Sequence, residues 1–109
     1  MIEFVIDKLS DGIGVIRPVG RLNMVSAPQL NSAVAGLIDE GTVRLVVDLS
    51  GTDFIDSSGL GALISGLKKT RQSGGDLRLA SPTAQITAVL ELTSLNKVLR
   101  PASSVAEAY

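Results

Sequence analysis

The chain has 109 residues, which is enough for one domain with a single compact core. Apolar residues make up 45% of it, charged residues 19% and aromatic residues only 3%, so the core must be built from aliphatic side chains. The formal net charge is -1, and the lysines and arginines are scattered along the sequence. This charge distribution argues against nucleic acid as a partner.

The sequence contains no cysteine and no histidine. Disulfides, zinc sites with cysteine ligands, cysteine nucleophiles and serine mechanisms with an imidazole base are therefore excluded. The first residues lack the basic segment and long apolar run of a signal peptide. No apolar stretch approaches the roughly 20 residues needed to cross a bilayer. We therefore expect a cytoplasmic protein with no membrane partner.

The first third of the sequence predicts a hairpin followed by a helix. Two strand-like runs, residues 2–9 and 12–20, are joined by a Ser-Asp-Gly turn. Ser26 and Gln29 have the spacing of a capping box, and Pro28 is compatible with the first helical turn. Apolar residues then recur at helical spacing until Gly41, which is a suitable C-terminal cap.

The remainder alternates between strands and helices. Residues 43–49 predict a buried strand, and an apolar stripe from Leu60 to Leu67 predicts a helix that ends at a Gly-Gly pair. Residues 76–80 predict another strand, Ser81 and Pro82 a helix start, and residues 97–100 a short last strand. Residues 103–109 could add one terminal helical turn.

This order, β-β-α-β-α-β-α-β with an optional final helix, predicts the α/β class. We expect a mixed sheet of four to five strands with helices packed on it, in one domain that spans residues 1–109.

Two adjacent serines, Ser57 and Ser58, lie between the buried strand and the second helix. Ligands bind at the carboxyl ends of strands in open α/β sheets, and a helix start receives anions well. One serine could cap the helix, but a cap does not explain both, so modification or contact with a partner is the alternative. Gly59 and Gly61 disfavour a helix, and we expect them to leave its first turn open to another molecule.

Two acids, Asp53 and Asp56, are three residues apart in the same segment and could form an acid/base pair. No other polar group is clearly directed at that place. Stabilisation of both acids by the dipole of the helix start is the simpler interpretation. We therefore expect neither a catalytic site nor a bound metal or cofactor in this chain.

The stretch VVDLSGTDFIDSSGLGALI, residues 46–64, resembles the signature of the STAS domain, specifically that of bacterial anti-sigma factor antagonists. The similarity extends over nearly the whole chain, from the opening hairpin through the GRLNMVSAPQL segment to GGDLRLASPTAQITAVLELTSLNKVL. It implies the STAS fold and a non-enzymatic switch protein of the sporulation or stress-response type.

In that family the residue after the motif's Asp is phosphorylated by an anti-sigma factor that is also a serine kinase. The resemblance therefore implies that Ser57 is the phosphate acceptor, and that Asn23, Asp56, Ser58 and Gly59 belong to the partner-binding surface. It also implies that the unphosphorylated form binds the anti-sigma factor and releases the sigma factor. A PP2C-like phosphatase would remove the phosphate, and ATP would belong to the kinase.

The chain departs from the family pattern after its second strand. Many members carry G-E-L-D there, whereas this sequence has Gly20-Arg21-Leu22-Asn23. Asn23 can accept a hydrogen bond but lacks the charge for a salt bridge with a partner arginine, and Arg21 reverses the sign at its position.

Two other functions remain open on the sequence alone. The chain could be a STAS protein that works without phosphorylation, either as a scaffold in a signalling assembly or as the accessory subunit of a lipid-transport ABC system. An independent enzyme is the third class, but nothing in the sequence indicates a small-molecule substrate.

Overall fold

The computed structural model describes residues 3–109, which form a five-stranded mixed sheet and four α-helices. A turn of 3-10 helix at Val105–Glu107 follows the last helix and confirms the predicted terminal helical turn. In chain order the elements are β1 Glu3–Lys8, β2 Gly14–Leu22, α1 Ala27–Asp39, β3 Arg44–Asp48, β4 Thr52–Ile55, α2 Ser57–Gln72, β5 Asp76–Ala80, α3 Ala84–Leu92 and α4 Asn96–Leu99.

The sheet has the strand order β1-β2-β3-β5, and β4 pairs with β2 beyond the end of β3. The opening hairpin is confirmed, with β1 antiparallel to β2, although residue 2 of the predicted strand lies outside the described residues. All other strand pairs are parallel. The predicted α/β class and mixed sheet are therefore confirmed.

Strand β2 organises the sheet because it pairs in parallel with two other strands, one after the other along its length. Its first residues pair with β3, and its last residues, Gly20 to Leu22, pair with β4. The register shifts between Gly20 and Arg21, where Gly20 has a φ of 119°. Such a bulge bends the strand and changes the direction of its last residues.

Strand β4 was missed in the sequence because its four residues, TDFI, carry a charge and follow a Ser-Gly turn. The strand forms because its neighbour supplies the hydrogen bonds. The buried Thr52 hydroxyl donates to the Pro18 carbonyl at 2.7 Å, and the Gly20 N–H donates to the Gly51 carbonyl at 2.9 Å. Tertiary contacts therefore override a weak local preference.

Two predictions in the last third are wrong. Residues 97–100 were expected to form a strand, but Asn96–Leu99 is the short helix α4, whose Leu99 is buried in the core. The cap of α3 was expected at Ser81, but Thr83 is the cap, and its hydroxyl accepts a bond from the Ile86 N–H at 3.3 Å. Ser81 instead has a left-handed backbone with a φ of 53°.

The main core lies between the sheet and the helices. Every strand except β1 contributes fully buried or nearly buried aliphatic residues to it, and α1, α2, α3 and α4 cover it; its largest fully buried members include Ile16, Leu22, Leu30, Leu45, Leu63, Leu79, Ile86 and Leu99. The expected aliphatic core is thus confirmed. No helix within residues 3–109 has the length and apolarity needed to span a bilayer.

A smaller cluster covers the other face of the sheet, where the C-terminal segment folds back. The hydroxyl of Tyr109 lies 2.9 Å from the Leu45 carbonyl and 2.7 Å from the Asp76 carbonyl. The Arg78 guanidinium lies 4.4 Å from the Tyr109 ring centroid, and it donates to the Ala108 carbonyl at 2.7 Å. Burial, with the Asp76 carboxylate nearby, raises the pKa of Tyr109 to about 12.

Helix α2 begins in direct contact with β2, and Gly59 makes this contact possible. A Cβ atom at Gly59 would lie 2.4 Å from the Leu22 carbonyl oxygen and 2.8 Å from Cγ1 of Ile55. Gly59 is buried, whereas Gly61, two residues later, is exposed, and a Cβ atom there would meet no other atom within 4 Å. The two glycines therefore have different roles.

We predict that folding stability falls as the pH rises from about 10 towards about 12. The pKa of Tyr109 is raised in the folded state. The contribution of its hydroxyl to the free energy of unfolding is therefore fully present below the unfolded-state pKa of about 10, and it is lost as the pH rises through the folded-state pKa. Because Tyr109 is the only tyrosine, tyrosinate absorbance reports on it alone. The absorbance should titrate near 12 in the folded protein and near 10 in denaturant.

The matched control for that prediction is Tyr109→Phe, which removes the hydroxyl. We expect it to cost about 1 kcal/mol at neutral pH because the hydrogen bonds to the sheet are lost. The variant should also lose the part of the alkaline slope that Tyr109 contributes. A titration of folded Tyr109 near 10 would contradict this account of the C-terminal contact.

We predict opposite effects for alanine at the two glycines of α2. Gly59→Ala should lower the free energy of unfolding by about 1–3 kcal/mol or more, because the new methyl group meets the backbone of β2. Gly61→Ala should raise it by up to about 1 kcal/mol, since alanine favours the helix and the space is open. Urea unfolding of both variants measures the difference, and equal effects would contradict the packing described.

Candidate functional site

Two loops meet at the carboxyl edge of the sheet, and together they contain the residues that the sequence singled out. Because β2 and β4 are parallel neighbours, Leu22 and Ile55 are paired at their ends. Residues 23–26 leave β2 towards α1, and Asp56 leaves β4 towards α2. The Asp56 N–H donates to the Leu22 carbonyl at 3.2 Å and fixes the loops side by side.

The side chain of Asp56 joins the two loops. Its Oδ1 accepts a bond from the Gly59 N–H at 2.9 Å and so caps α2, and its Oδ2 accepts a bond from the Met24 N–H at 3.3 Å. The backbone at Asp56 is extended, as is usual at a helix N-cap. The expectation that one serine caps this helix is therefore wrong, because the carboxylate before the serines has that role.

The two serines differ in their environment. Ser57 is the first residue of α2 and is exposed, whereas Ser58 is half-buried. Since Asp56 makes the cap, the hydroxyl of Ser57 is not needed to complete the helix start. The structure thus leaves at the surface the serine that the resemblance indicates.

Gly59 does not leave the first turn open to another molecule, as the sequence had suggested. It is buried beneath the site, and its missing side chain allows α2 to pack against Leu22. The expectation fits Gly61 instead, which faces open space. The physical reason is that the helix start is pressed against the end of β2, which the sequence did not reveal.

Asn23 is turned towards its own loop. Its Oδ1 accepts bonds from the Val25 N–H at 3.0 Å and the Ser26 N–H at 3.2 Å, so this oxygen holds the turn. Arg21 is exposed, and its guanidinium carbon lies 4.6 Å from the centroid of the Phe54 ring. The positive charge that replaces the family's acid is therefore held over an aromatic ring beside the site.

Ser26 occupies the N-cap position of α1, but the predicted capping box with Gln29 is wrong. The hydroxyl makes no cap bond to the helix. It donates to the Arg21 carbonyl at 2.7 Å and accepts from the Asn23 N–H at 2.9 Å. This buried side chain therefore ties the loop to the end of β2.

The arrangement offers little for catalysis. Asp53 is exposed on β4, and both carboxylate oxygens of Asp56 accept backbone N–H groups. Among residues 3–109 no three acidic side chains cluster in a way that could hold a metal ion. The edge presents the exposed Ser57 at a helix start, directly after the Asp56 carboxylate that caps it.

Sequence reasoning missed the most exposed apolar pair at this edge. Met24 and Val25 are 73% and 77% exposed, at the tip of the loop that Asp56 holds. The signal that could have found them is two apolar residues inside a short polar turn, N-M-V-S. The local sequence pattern predicts only a turn before α1. It does not predict that the side chains at the tip of this turn are exposed, since their exposure depends on the tertiary fold.

Comparison with known proteins identifies the family and the fold. The family model described as the STAS domain matches residues 5–108. A crystal structure from Thermotoga maritima, of a protein provisionally named an anti-sigma factor antagonist, superposes with a TM-score of 0.88 at 28% identity. The match covers 96% of this chain and 90% of that one.

Two further relatives are informative. The anti-sigma-B factor antagonist of Staphylococcus aureus is 26% identical over 80 residues, which cover 73% of this chain and 74% of that protein. The Bacillus cell fate determinant SpoIIAA, solved in its phosphorylated form, shares the fold with a TM-score of 0.75 at 20% identity, over 97% of this chain and 96% of that one. With a family match across nearly its whole length, the chain belongs to the STAS domain family.

Proposed function

We propose that this protein is an anti-sigma factor antagonist controlled by phosphorylation of Ser57. The unphosphorylated form binds an anti-sigma factor that is also a serine kinase, and the sigma factor is released. The kinase then transfers the γ-phosphoryl group of ATP to the Ser57 oxygen, which gives up its proton as ADP leaves. A PP2C-like phosphatase restores the hydroxyl, and the cycle takes place in the cytoplasm.

The observation that carries this proposal is the exposed Ser57 hydroxyl at the first position of α2, next to a cap made by another residue. A kinase can reach this oxygen without dismantling the helix start. The names of the Thermotoga and Staphylococcus relatives support the antagonist function. The phosphorylated form of SpoIIAA supports a phosphate on a protein of this fold.

The helix start can accept the phosphate without unfolding. Phosphorylation adds about −1.5 to −2 charge and three strong acceptor oxygens. The first backbone N–H groups of a helix lack partners within it, and the helix dipole favours negative charge there. We therefore propose that the modification changes the surface and leaves the fold intact.

Partner binding is the step that the phosphate opposes. The proposed binding surface consists of Asn23, Asp56, Ser57 and Ser58, with Gly59 beneath it. Asp56 already places a carboxylate directly before Ser57, and a phosphate there adds charge and bulk where the partner must approach. Burying an unmatched charge costs several kcal/mol, and each 1.4 kcal/mol lowers the affinity about tenfold.

We predict that Ser57→Ala abolishes phosphorylation and preserves binding. The purified variant, incubated with ATP and the purified anti-sigma factor kinase of the same organism, should gain no phosphate by intact-mass spectrometry. Its Kd for the kinase without ATP should stay within about threefold of the wild-type value, since removing an exposed hydroxyl changes little.

The matched control is Ser58→Ala at the neighbouring serine. Ser58 is half-buried, and we expect this variant to be phosphorylated to the same stoichiometry as the wild type. Stoichiometric labelling of Ser57→Ala, or loss of labelling only in Ser58→Ala, would show that the acceptor has been assigned to the wrong residue.

We also predict that Ser57→Asp weakens kinase binding by roughly tenfold while the thermal unfolding temperature stays unchanged or rises. The carboxylate carries less charge than phosphate, so the loss should be smaller than that of the phosphorylated wild type. Isothermal titration calorimetry measures the Kd for the kinase of the unphosphorylated wild type, the phosphorylated wild type and the Ser57→Asp variant. Equal affinity of the phosphorylated and unphosphorylated protein would contradict the switch.

A further inference from the structure

The tip of the loop after β2 presents two neighbouring apolar side chains to solvent. Met24 is 73% exposed and Val25 is 77% exposed. Leu92, in contrast, is a single exposed apolar residue at the end of α3, which is common on protein surfaces. An adjacent pair with this exposure at a loop tip calls for an explanation.

The backbone of this tip is firmly held. Hydrogen bonds reach it from three side chains: Asn23 accepts the Val25 N–H, Asp56 accepts the Met24 N–H, and Ser26 accepts the Asn23 N–H. All of these bonds involve backbone N–H groups, so none requires the apolar side chains. A preorganised loop loses little conformational entropy when it docks, which favours binding.

The tip is also connected to the phosphorylation site. The carboxylate that accepts the Met24 N–H belongs to Asp56, the residue immediately before Ser57. The loop tip and Ser57 therefore lie at the same edge of the sheet, where a kinase docked on Ser57 has to approach. Arg21, over the Phe54 ring, supplies a positive charge on the neighbouring part of the sheet edge.

We propose that Met24 and Val25 are an apolar anchor that inserts into a hydrophobic pocket of the anti-sigma factor kinase. This inference rests on the proposed function and identifies the contact that holds that partner in place. Methionine is flexible and polarisable and adapts to irregular pockets, while the β-branched valine has few side-chain rotamers to lose when it is buried. Asp56 is then a positioning residue for the anchor as well as the cap of α2.

The test is the double variant Met24→Ala, Val25→Ala, titrated calorimetrically against the purified anti-sigma factor kinase of the same organism without ATP. We expect the Kd to rise at least about tenfold, because two side chains that would be buried are removed. Both residues are exposed, so the thermal unfolding temperature should stay within a few degrees of the wild-type value. Met24→Glu provides a second variant, and it should weaken binding as well.

The control is Leu9→Ala. Leu9 is 40% exposed and lies in the hairpin turn at the other end of β2, so its truncation should leave the Kd within about twofold. Wild-type affinity of both loop variants, with normal phosphorylation of the wild type, would overturn the anchor and leave the proposed function intact. If the wild type neither binds the kinase nor is phosphorylated, the proposed function fails and the anchor fails with it.

Discussion

The organisation of this edge depends on one carboxylate. Asp56 caps α2 through one oxygen and holds the loop between β2 and α1 through the other. Because the Asp56 carboxylate caps α2, the hydroxyl of the following Ser57 is not needed as a cap, and Ser57 is exposed. The same side chain fixes the position of Met24, so the proposed acceptor and the proposed anchor share one support. Substituting this residue would therefore disturb the helix, the loop and the partner surface together.

The sheet explains why these groups meet. Strand β2 is long enough to pair first with β3 and then with β4, and its bulge at Gly20 and Arg21 accommodates the change. The end of β2 therefore lies beside the end of β4, and the buried Gly59 lets α2 start against it. A longer side chain at that position would push the helix start outward and move Ser57 with it.

Much of the fold was predictable because apolar periodicity and turn residues report directly on local structure. The hairpin, three helices and the strands at 43–49 and 76–80 follow from such patterns. Strand β4 and helix α4 could not be predicted in this way, since short elements take their form from their neighbours. At the site, the sequence brought Asp56, Ser57 and Ser58 together, but it offered a serine as a possible cap and did not indicate that Asp56 has this role. The position of Gly59 and the exposure of Met24 and Val25 depend on tertiary packing, which local patterns do not encode.

Mass spectrometry of the protein isolated from its native cells can show whether Ser57 carries the phosphate in the cell. Tryptic cleavage after Arg44 and Lys68 gives one peptide that contains Ser57 together with Ser50, Ser58 and Ser65. Fragmentation must therefore place the phosphate on a single residue. We expect phosphate on Ser57 in a fraction of the molecules that changes with growth conditions. Phosphate confined to another residue, or an unmodified Ser57 under every condition in which the kinase is active, would contradict it.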